Sequence, residues 1–103
     1  MARQYYVYIM TNYHNSVLYT GISNNLIGRV YTHKQKSVSG FTARYNIKKL
    51  VYYEICNNPG SAITREKQIK GGSRADKLLL IRKVNPKFED LYYKLRSEQN
   101  DEA

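Results

Sequence analysis

Three short segments of the chain have the apolar pattern and the aromatic and β-branched composition of β-strands. They are residues 5–10, 17–22 and 49–56. The polar stretch NYHNS separates the first two, which predicts an antiparallel hairpin. Because side chains alternate between the two faces of a strand, Tyr6 and Tyr8 share one face of the first strand, and Tyr19 and Gly21 share one face of the second. The third segment is almost continuously apolar, which predicts a central or well-covered strand.

The segments between and after these strands have helical spacing of apolar positions. Asn24 or Asn25 can cap a first helix, which runs to about residue 35. One stripe of this helix holds Leu26, Val30 and His33. Further helices are predicted over residues 61–70, 73–83 and 87–96, and residues 37–46 are predicted to be a polar, basic connection.

Basic residues dominate the composition. Seventeen Lys and Arg stand against eight Asp and Glu, which gives a net charge of +9. Three of the acids lie in the C-terminal stretch SEQNDEA, so residues 1–96 hold all seventeen basic side chains and only five acids. A field of this sign attracts polyanions, of which nucleic acids are the commonest and an anionic membrane surface the next. Charge alone does not choose between them.

Length and composition predict one small domain. A chain of 103 residues can build a single core, so we expect one domain over residues 1–96 and an acidic, disordered tail over residues 97–103. No apolar run approaches the ~20 residues of a membrane span, and the N-terminus lacks the apolar region of a secretory signal. We therefore expect a cytoplasmic protein that does not engage a membrane. The single cysteine, Cys56, cannot form an intramolecular disulfide and is expected to be a small buried hydrophobe.

Several side chains that carry chemistry fall where the predicted elements can bring them together. Tyr8 and Tyr19 can meet on one face of the hairpin, and Arg29 and His33 are neighbours one helical turn apart. Glu66 follows in the basic stretch REKQIKGGSR. Hydrolysis of a phosphodiester needs an activated water, shielding of the negative charge on the phosphoryl oxygens, and stabilisation of the leaving oxygen. Such side chains can supply all three. Taken singly, strand tyrosines are ordinary packing partners and surface charges contribute little, so only the joint spacing favours a site.

In this order and spacing, the sequence resembles the GIY-YIG endonuclease superfamily, in particular its small stand-alone bacterial members. The matching positions are YVY at 6–8, YTG at 19–21, Arg29, His33, Glu66 and Asn85. The resemblance covers residues 5–93 and implies an α/β sandwich in which a small three-stranded antiparallel sheet is flanked by helices. Two positions depart from the motifs. Tyr6 replaces glycine and is expected to narrow the groove, whereas Thr20 replaces isoleucine and is expected to affect packing more than chemistry.

The resemblance and the chemistry of the side chains suggest a role for each candidate. Glu66 would hold one divalent ion, Mg²⁺ or Mn²⁺, because a carboxylate is a hard oxygen ligand. Arg29 would hold the phosphate, and His33 would donate to it or shuttle a proton. Tyr8 or Tyr19 would be the general base, which requires a pKa lowered from its ordinary value of ~10. The residues expected to contact the substrate are Gly21, Lys34, Lys67, Lys70, Arg74 and Asn85.

The resemblance implies a metal-dependent endonuclease acting on DNA, in repair or recombination, with RNA as an open second substrate. A nucleic-acid-binding module that keeps the fold without turnover is the alternative, since a fold does not establish an activity. We expect a monomer that recognises charge and DNA shape, or that takes its specificity from a protein partner. Gly21 is expected to leave room for the scissile phosphate or for the helix that carries Arg29. Asn85 precedes a proline and also has an ordinary explanation as a turn residue.

Overall fold

The computed structural model describes residues 4–36 and 40–101, which contain a three-stranded antiparallel sheet. Its strands are β1 (Tyr5–Thr11), β2 (Leu18–Ser23) and β3 (Lys49–Cys56), in the spatial order β2-β1-β3. The predicted sheet and hairpin are confirmed. The central strand is β1, so β3 is an edge strand. Its apolar character is explained by cover, because Leu50, Val51 and Tyr52 are all buried.

Five helices lie within the described part of the chain. They are α1 (Leu26–Lys34), α2 (Phe41–Arg44), α3 (Pro59–Gly71), α4 (Arg74–Val84) and α5 (Tyr92–Asp101). Asn25 caps α1, as its Oδ1 accepts from the amide of Gly28 at 3.1 Å. Asn58 caps α3 in the same way, accepting from the amide of Ser61 at 2.8 Å. Of the helices in residues 4–36 and 40–101, none is long and apolar enough to span a membrane.

The short helix α2 was not predicted. It lies inside residues 37–46, where the sequence predicts a polar connection, and residues 37–39 of that connection fall outside the described residues. Gly40 opens the helix with a φ of 95°, in the left-handed region that favours glycine. The amide of Ile47 then donates to the carbonyl of Thr42 at 2.9 Å and closes the segment. Four residues are too few to show a helical period.

The C-terminal helix begins later than predicted. The sequence predicts a helix over residues 87–96, whereas α5 starts at Tyr92. Phe88 has a φ of 54°, a left-handed conformation that interrupts a helix. The helix then continues to Asp101, so the described part of the predicted disordered tail, residues 97–101, is helical. The last two residues lie outside the described ranges.

The sheet separates two apolar clusters. Odd-numbered residues of β1 pack against α3 and α4, in a cluster formed by Val7, Ile9, Val51, Tyr52, Ala62, Ile69 and Ile81. Even-numbered residues of β1 pack against α1 and α5, in a cluster formed by Tyr8, Met10, Leu26, Val30, Ile47, Leu50 and Tyr92. The stripe predicted on α1 is buried at all three positions. Cys56 is half-buried and packs against the first cluster.

Candidate functional site

Tyr8 and Gly21 face each other across β1 and β2. Their Cα atoms are register partners in the antiparallel pair. A Cβ atom built on Gly21 would lie 2.5 Å from both Cζ and the hydroxyl oxygen of Tyr8, which is closer than such atoms approach. Gly21 therefore makes room for the Tyr8 ring, and its contact with the substrate phosphate stays a prediction.

A buried hydrogen-bond chain runs from Tyr8 through His33 to Thr42. The Tyr8 hydroxyl lies 3.3 Å from Nε2 of His33, and Nδ1 of the same ring lies 3.0 Å from Oγ1 of Thr42. Tyr8 and His33 are each only 1% exposed. Burial, together with the charge of Arg29, lowers the pKa of His33, so the imidazole is neutral at pH 7. A neutral imidazole has one N–H donor and one acceptor nitrogen, so His33 accepts from one of these two hydroxyls and donates to the other.

Tyr19 joins this group from β2. Its ring centroid lies 5.5 Å from that of His33, edge to face, and 6.4 Å from that of Tyr8. Tyr19 is half-buried, whereas Tyr8 is enclosed. Of the two tyrosines, Tyr19 is therefore the one that reaches the surface.

Arg29 lies one helical turn before His33 and acts on the Tyr8 hydroxyl. Burial raises the pKa of Tyr8 above its ordinary value of 10.0, and this outweighs the nearby Arg29 guanidinium, which lowers it. A tyrosine that serves as general base needs the opposite shift. In the protein alone, Tyr8 is thus a neutral phenol.

Glu66 approaches the tyrosines from α3, which packs on the other face of the sheet from α1. Because α3 contacts β2 and β2 is an edge strand, side chains of α3 can reach past the free edge of the sheet. The Glu66 carboxylate is close enough to contribute to raising the pKa of Tyr8. Its side chain is 15% exposed, and its Oε2 lies 2.8 Å from Nζ of Lys70, one turn further along α3.

The site offers a divalent ion one protein carboxylate. Mg²⁺ keeps several of its waters and is usually bound through one or two carboxylates, so Glu66 with water is a chemically suitable donor set. In the described ranges, no group of three His, Cys, Asp or Glu side chains comes together as an all-protein metal cage. The Lys70 ammonium already holds one oxygen of Glu66, so an ion would have to compete with it.

Comparison with known proteins identifies the family. The model of the GIY-YIG catalytic domain matches residues 4–79. The chain belongs to the GIY-YIG family. It is also similar to UPF0213 proteins, among them one from Clostridium perfringens (39% identical over 85 residues, 82% of this chain and 90% of that protein) and one from Staphylococcus haemolyticus (37% over 78 residues, 76% and 94%). The NMR structure of a UPF0213 protein from Bacillus halodurans has the same fold, with a TM-score of 0.54 at 24% identity over 84% of this chain and 92% of that one.

Lys34 is bonded to Lys48 and Asp90, although the sequence suggests a substrate contact. Its Nζ donates to the carboxylate of Asp90 and, at 2.8 Å, to the carbonyl of Lys48. The ammonium also lies 5.0 Å from the ring centroid of Tyr92. Lys34 therefore ties α1 to the C-terminal segment.

The side chain of Asn85 also has a structural role, since all its hydrogen bonds in the described part of the chain are to backbone groups. It is 5% exposed, and its Nδ2 donates to the carbonyls of Val51 at 3.0 Å and Glu89 at 2.8 Å. Its Oδ1 accepts from the amide of Glu89 at 3.0 Å. With both polar atoms engaged, Asn85 holds the turn after α4 against β3, which supports the turn explanation over the substrate contact.

The other predicted contact residues outside the sheet lie in the C-terminal half of α3 and at the start of α4. Lys67 is exposed on α3, and Lys70 is 55% exposed and paired with Glu66. Arg74 donates to the carbonyl of Asn15 at 3.0 Å, which joins the start of α4 to the β1–β2 turn. Of these three, only Lys70 has a hydrogen bond or ion pair with a candidate catalytic residue, Glu66.

Sequence reasoning missed two residues of α2. The Thr42 hydroxyl is hydrogen-bonded to His33, and the Phe41 ring lies 6.5 Å from that of Tyr19, with 29° between the planes. Neither has a local signal, because both reach the site through a short helix that no periodicity predicts. The contact between positions nine residues apart depends on the fold of the intervening chain.

Proposed function

We propose that this protein is a divalent-metal-dependent endonuclease that hydrolyses DNA phosphodiester bonds. The proposal is carried by the convergence of Tyr8, Tyr19 and His33 in a chain of the GIY-YIG catalytic domain family. Arg29 and Glu66 support it, since both lie close enough for their charges to change the pKa of Tyr8. A role in DNA repair or recombination is part of the proposal and rests on the family alone.

The site residues divide the work as follows. Arg29 binds the scissile phosphate through its planar guanidinium. Tyr19 orients the attacking water, because it reaches the surface while Tyr8 is enclosed. His33, held by Tyr8 and Thr42, is neutral and is the group able to take up a proton. Glu66 holds the divalent ion, which when bound supplies positive charge to the phosphoryl oxygens.

The net charge of +9 supports binding to DNA, and equally to RNA, through phosphate contacts. We propose that the protein acts as a monomer, either by reading DNA shape or with specificity supplied by a protein partner. Its affinity should fall steeply as salt concentration rises, because bound phosphates release counterions. A flat dependence of log K on log salt concentration would count against this mode of binding.

A second candidate is a nucleic-acid-binding module without turnover. Two observations favour it: burial raises the pKa of Tyr8, and Lys70 holds the carboxylate that a metal would need. Both describe a protein without substrate. The two candidates differ in whether metal and DNA can displace these contacts.

Cleavage assays separate the candidates. Duplex, flapped and branched DNA and a single-stranded RNA are incubated with Mg²⁺ or Mn²⁺, with EDTA as the metal-free control. Glu66→Gln removes the charge at nearly constant size, and Glu89→Gln is its matched control, since Glu89 is exposed and its side chain makes no hydrogen bond or ion pair with the described residues. We expect metal-dependent cleavage by the wild type and Glu89→Gln, and none by Glu66→Gln. Full activity of Glu66→Gln would refute the metal assignment, and salt-dependent binding without any cleavage would establish the second candidate.

A further inference from the structure

We propose that Phe41 and Tyr45 form a stacking site for a nucleobase beside the scissile phosphate. The proposal rests on the proposed function and deepens it, because it assigns a place to the base next to the cleaved bond. With Tyr19, these residues form what we term the aromatic ladder, defined as Tyr19, Phe41 and Tyr45.

The aromatic ladder is continuous with the candidate site. The ring centroid of Tyr19 lies 5.5 Å from that of His33, and that of Phe41 lies 6.5 Å from Tyr19. The Tyr45 ring follows at 4.8 Å from Phe41. Separations of this size are those of aromatic rings in contact. The ladder therefore leads from the side chains that carry the chemistry to the protein surface.

The outer part of the ladder does not serve the core. Phe41 is 48% exposed and Tyr45 is 40% exposed. Among the described residues, neither belongs to one of the two apolar clusters. Two exposed rings in contact with each other, at the end of a chain of rings from the site, offer flat π surface to a ligand. A nucleobase has such a surface whatever its sequence.

Positive charge beside the ladder selects a nucleotide over a neutral aromatic ligand. The guanidinium carbon of Arg44 lies 5.5 Å from the Tyr45 ring centroid. Tyr45 also lines an open cavity of about 490 Å³ together with Lys48 and Lys49; the Asp90 carboxylate lines it too, but is paired with Lys34. Aromatic faces next to cations are the combination by which proteins hold unpaired nucleic acid, with the base stacked and the phosphate paired.

Stacking on the ladder requires that one face of the base be free of its neighbour. A fully stacked duplex does not offer such a face inside the helix, so the site fits a nucleotide at a nick, a flap or an unpaired stretch. The substrate class is therefore DNA with an unstacked base at the point of cleavage.

Binding to bases can be separated from binding to phosphates without any cleavage. Fluorescence anisotropy in EDTA measures the affinity for a labelled single-stranded oligonucleotide of about ten nucleotides and for an abasic oligomer of equal length, which keeps every phosphate. The variants are Phe41→Leu and Tyr45→Leu, which keep apolar volume but remove the ring. The matched control is Tyr31→Leu, because Tyr31 is 53% exposed on α1 and outside the ladder.

We expect the wild type to bind the intact oligonucleotide more tightly than the abasic one. Phe41→Leu should reduce this preference by about 5- to 150-fold, the equivalent of ~1–3 kcal/mol for one stacked base. Phe41→Trp should restore it, and Tyr31→Leu should leave it unchanged. Thermal melting of each variant verifies that it is folded.

Equal binding of both oligomers by the wild type would overturn the stacking site, and so would a loss in Phe41→Leu that is the same for both. The result does not depend on metal or turnover. A protein that prefers the intact oligonucleotide through Phe41 but cleaves no DNA would keep the stacking site and refute the endonuclease. Metal-dependent cleavage without any base preference would do the reverse.

Discussion

Gly21→Ala tests the contact on which the position of Tyr8 depends. The new Cβ would lie 2.5 Å from Cζ and from the hydroxyl oxygen of Tyr8, so the ring must move. Tyr8 is 1% exposed and has little room for this. The displacement pulls the hydroxyl away from Nε2 of His33, which is already 3.3 Å distant. The substitution should therefore lower both stability and activity.

The expected loss follows from three contributions. Overpacking a tight core costs about 1–3 kcal/mol, and loss of the Tyr8–His33 hydrogen bond costs about 1 kcal/mol. Replacing glycine in a strand returns about 0.5–1 kcal/mol of chain entropy. The free energy of unfolding should thus fall by about 1–3 kcal/mol. For a domain of this size, 2 kcal/mol corresponds to a melting temperature lower by roughly 8–16 °C.

Urea denaturation and thermal melting measure this loss. Gly71→Ala is the matched control, because a Cβ there meets no heavy atom within 4 Å, and it should be neutral or slightly stabilising. In a Tyr8→Leu background the clash is removed, so Gly21→Ala should cost much less than in the wild type. A Gly21→Ala protein as stable as the wild type, or an equal cost in both backgrounds, would show that the new Cβ does not clash with Tyr8.

Three further predictions concern other contacts. Thr20→Val should raise the free energy of unfolding by about 1 kcal/mol in urea denaturation, because Oγ1 of this 4% exposed residue has no partner in the described structure. Arg65→Met should reduce the loss of stability on acidification, because the Arg65 hydrogen bond lowers the pKa of Glu54 below its ordinary 4.5. The stabilisation from this bond is present above pH 4.5 and is lost as pH falls through the lowered pKa. Melting curves at successive pH values would detect the difference. Lys70→Met should tighten Mn²⁺ binding several-fold in a calorimetric titration, since it frees the Glu66 carboxylate; unchanged affinity would show that Lys70 does not compete.

The sequence predicts what depends on local periodicity. Alternation along β1 and β2 predicts that Tyr8, Tyr19 and Gly21 can meet on one face of the hairpin, and in the structure Tyr8 and Gly21 are register partners. Helical spacing puts His33 on the buried stripe of α1, where it meets the Tyr8 hydroxyl. These contacts follow from the geometry of single elements and one tight hairpin, so no distant part of the chain was needed to anticipate them.

What the sequence does not reveal depends on contacts between distant parts of the chain. Lys34 has the positive charge of a phosphate ligand, but in the structure its ammonium binds Asp90, 56 positions later. Asn85 is anchored to Val51 across 34 positions. In β3, a continuous apolar run predicts burial and does not distinguish a central strand from an edge strand covered by helices. Pairing over such separations is set by the packed fold and leaves no mark on the local pattern.

Burial has opposite consequences for the two members of the Tyr8–His33 pair, and both leave the pair uncharged. It raises the pKa of Tyr8 and lowers that of His33. In the protein alone, the charge near the pair is therefore supplied by Arg29, Glu66 and Lys70, two of which neutralise each other in an ion pair. His33 in its neutral form can take up a proton, whereas Tyr8 holds its proton more tightly than a free phenol does. Under the proposed function, activity depends on the charge that substrate and metal bring to this site, and a metal ion competes with Lys70 for the Glu66 carboxylate.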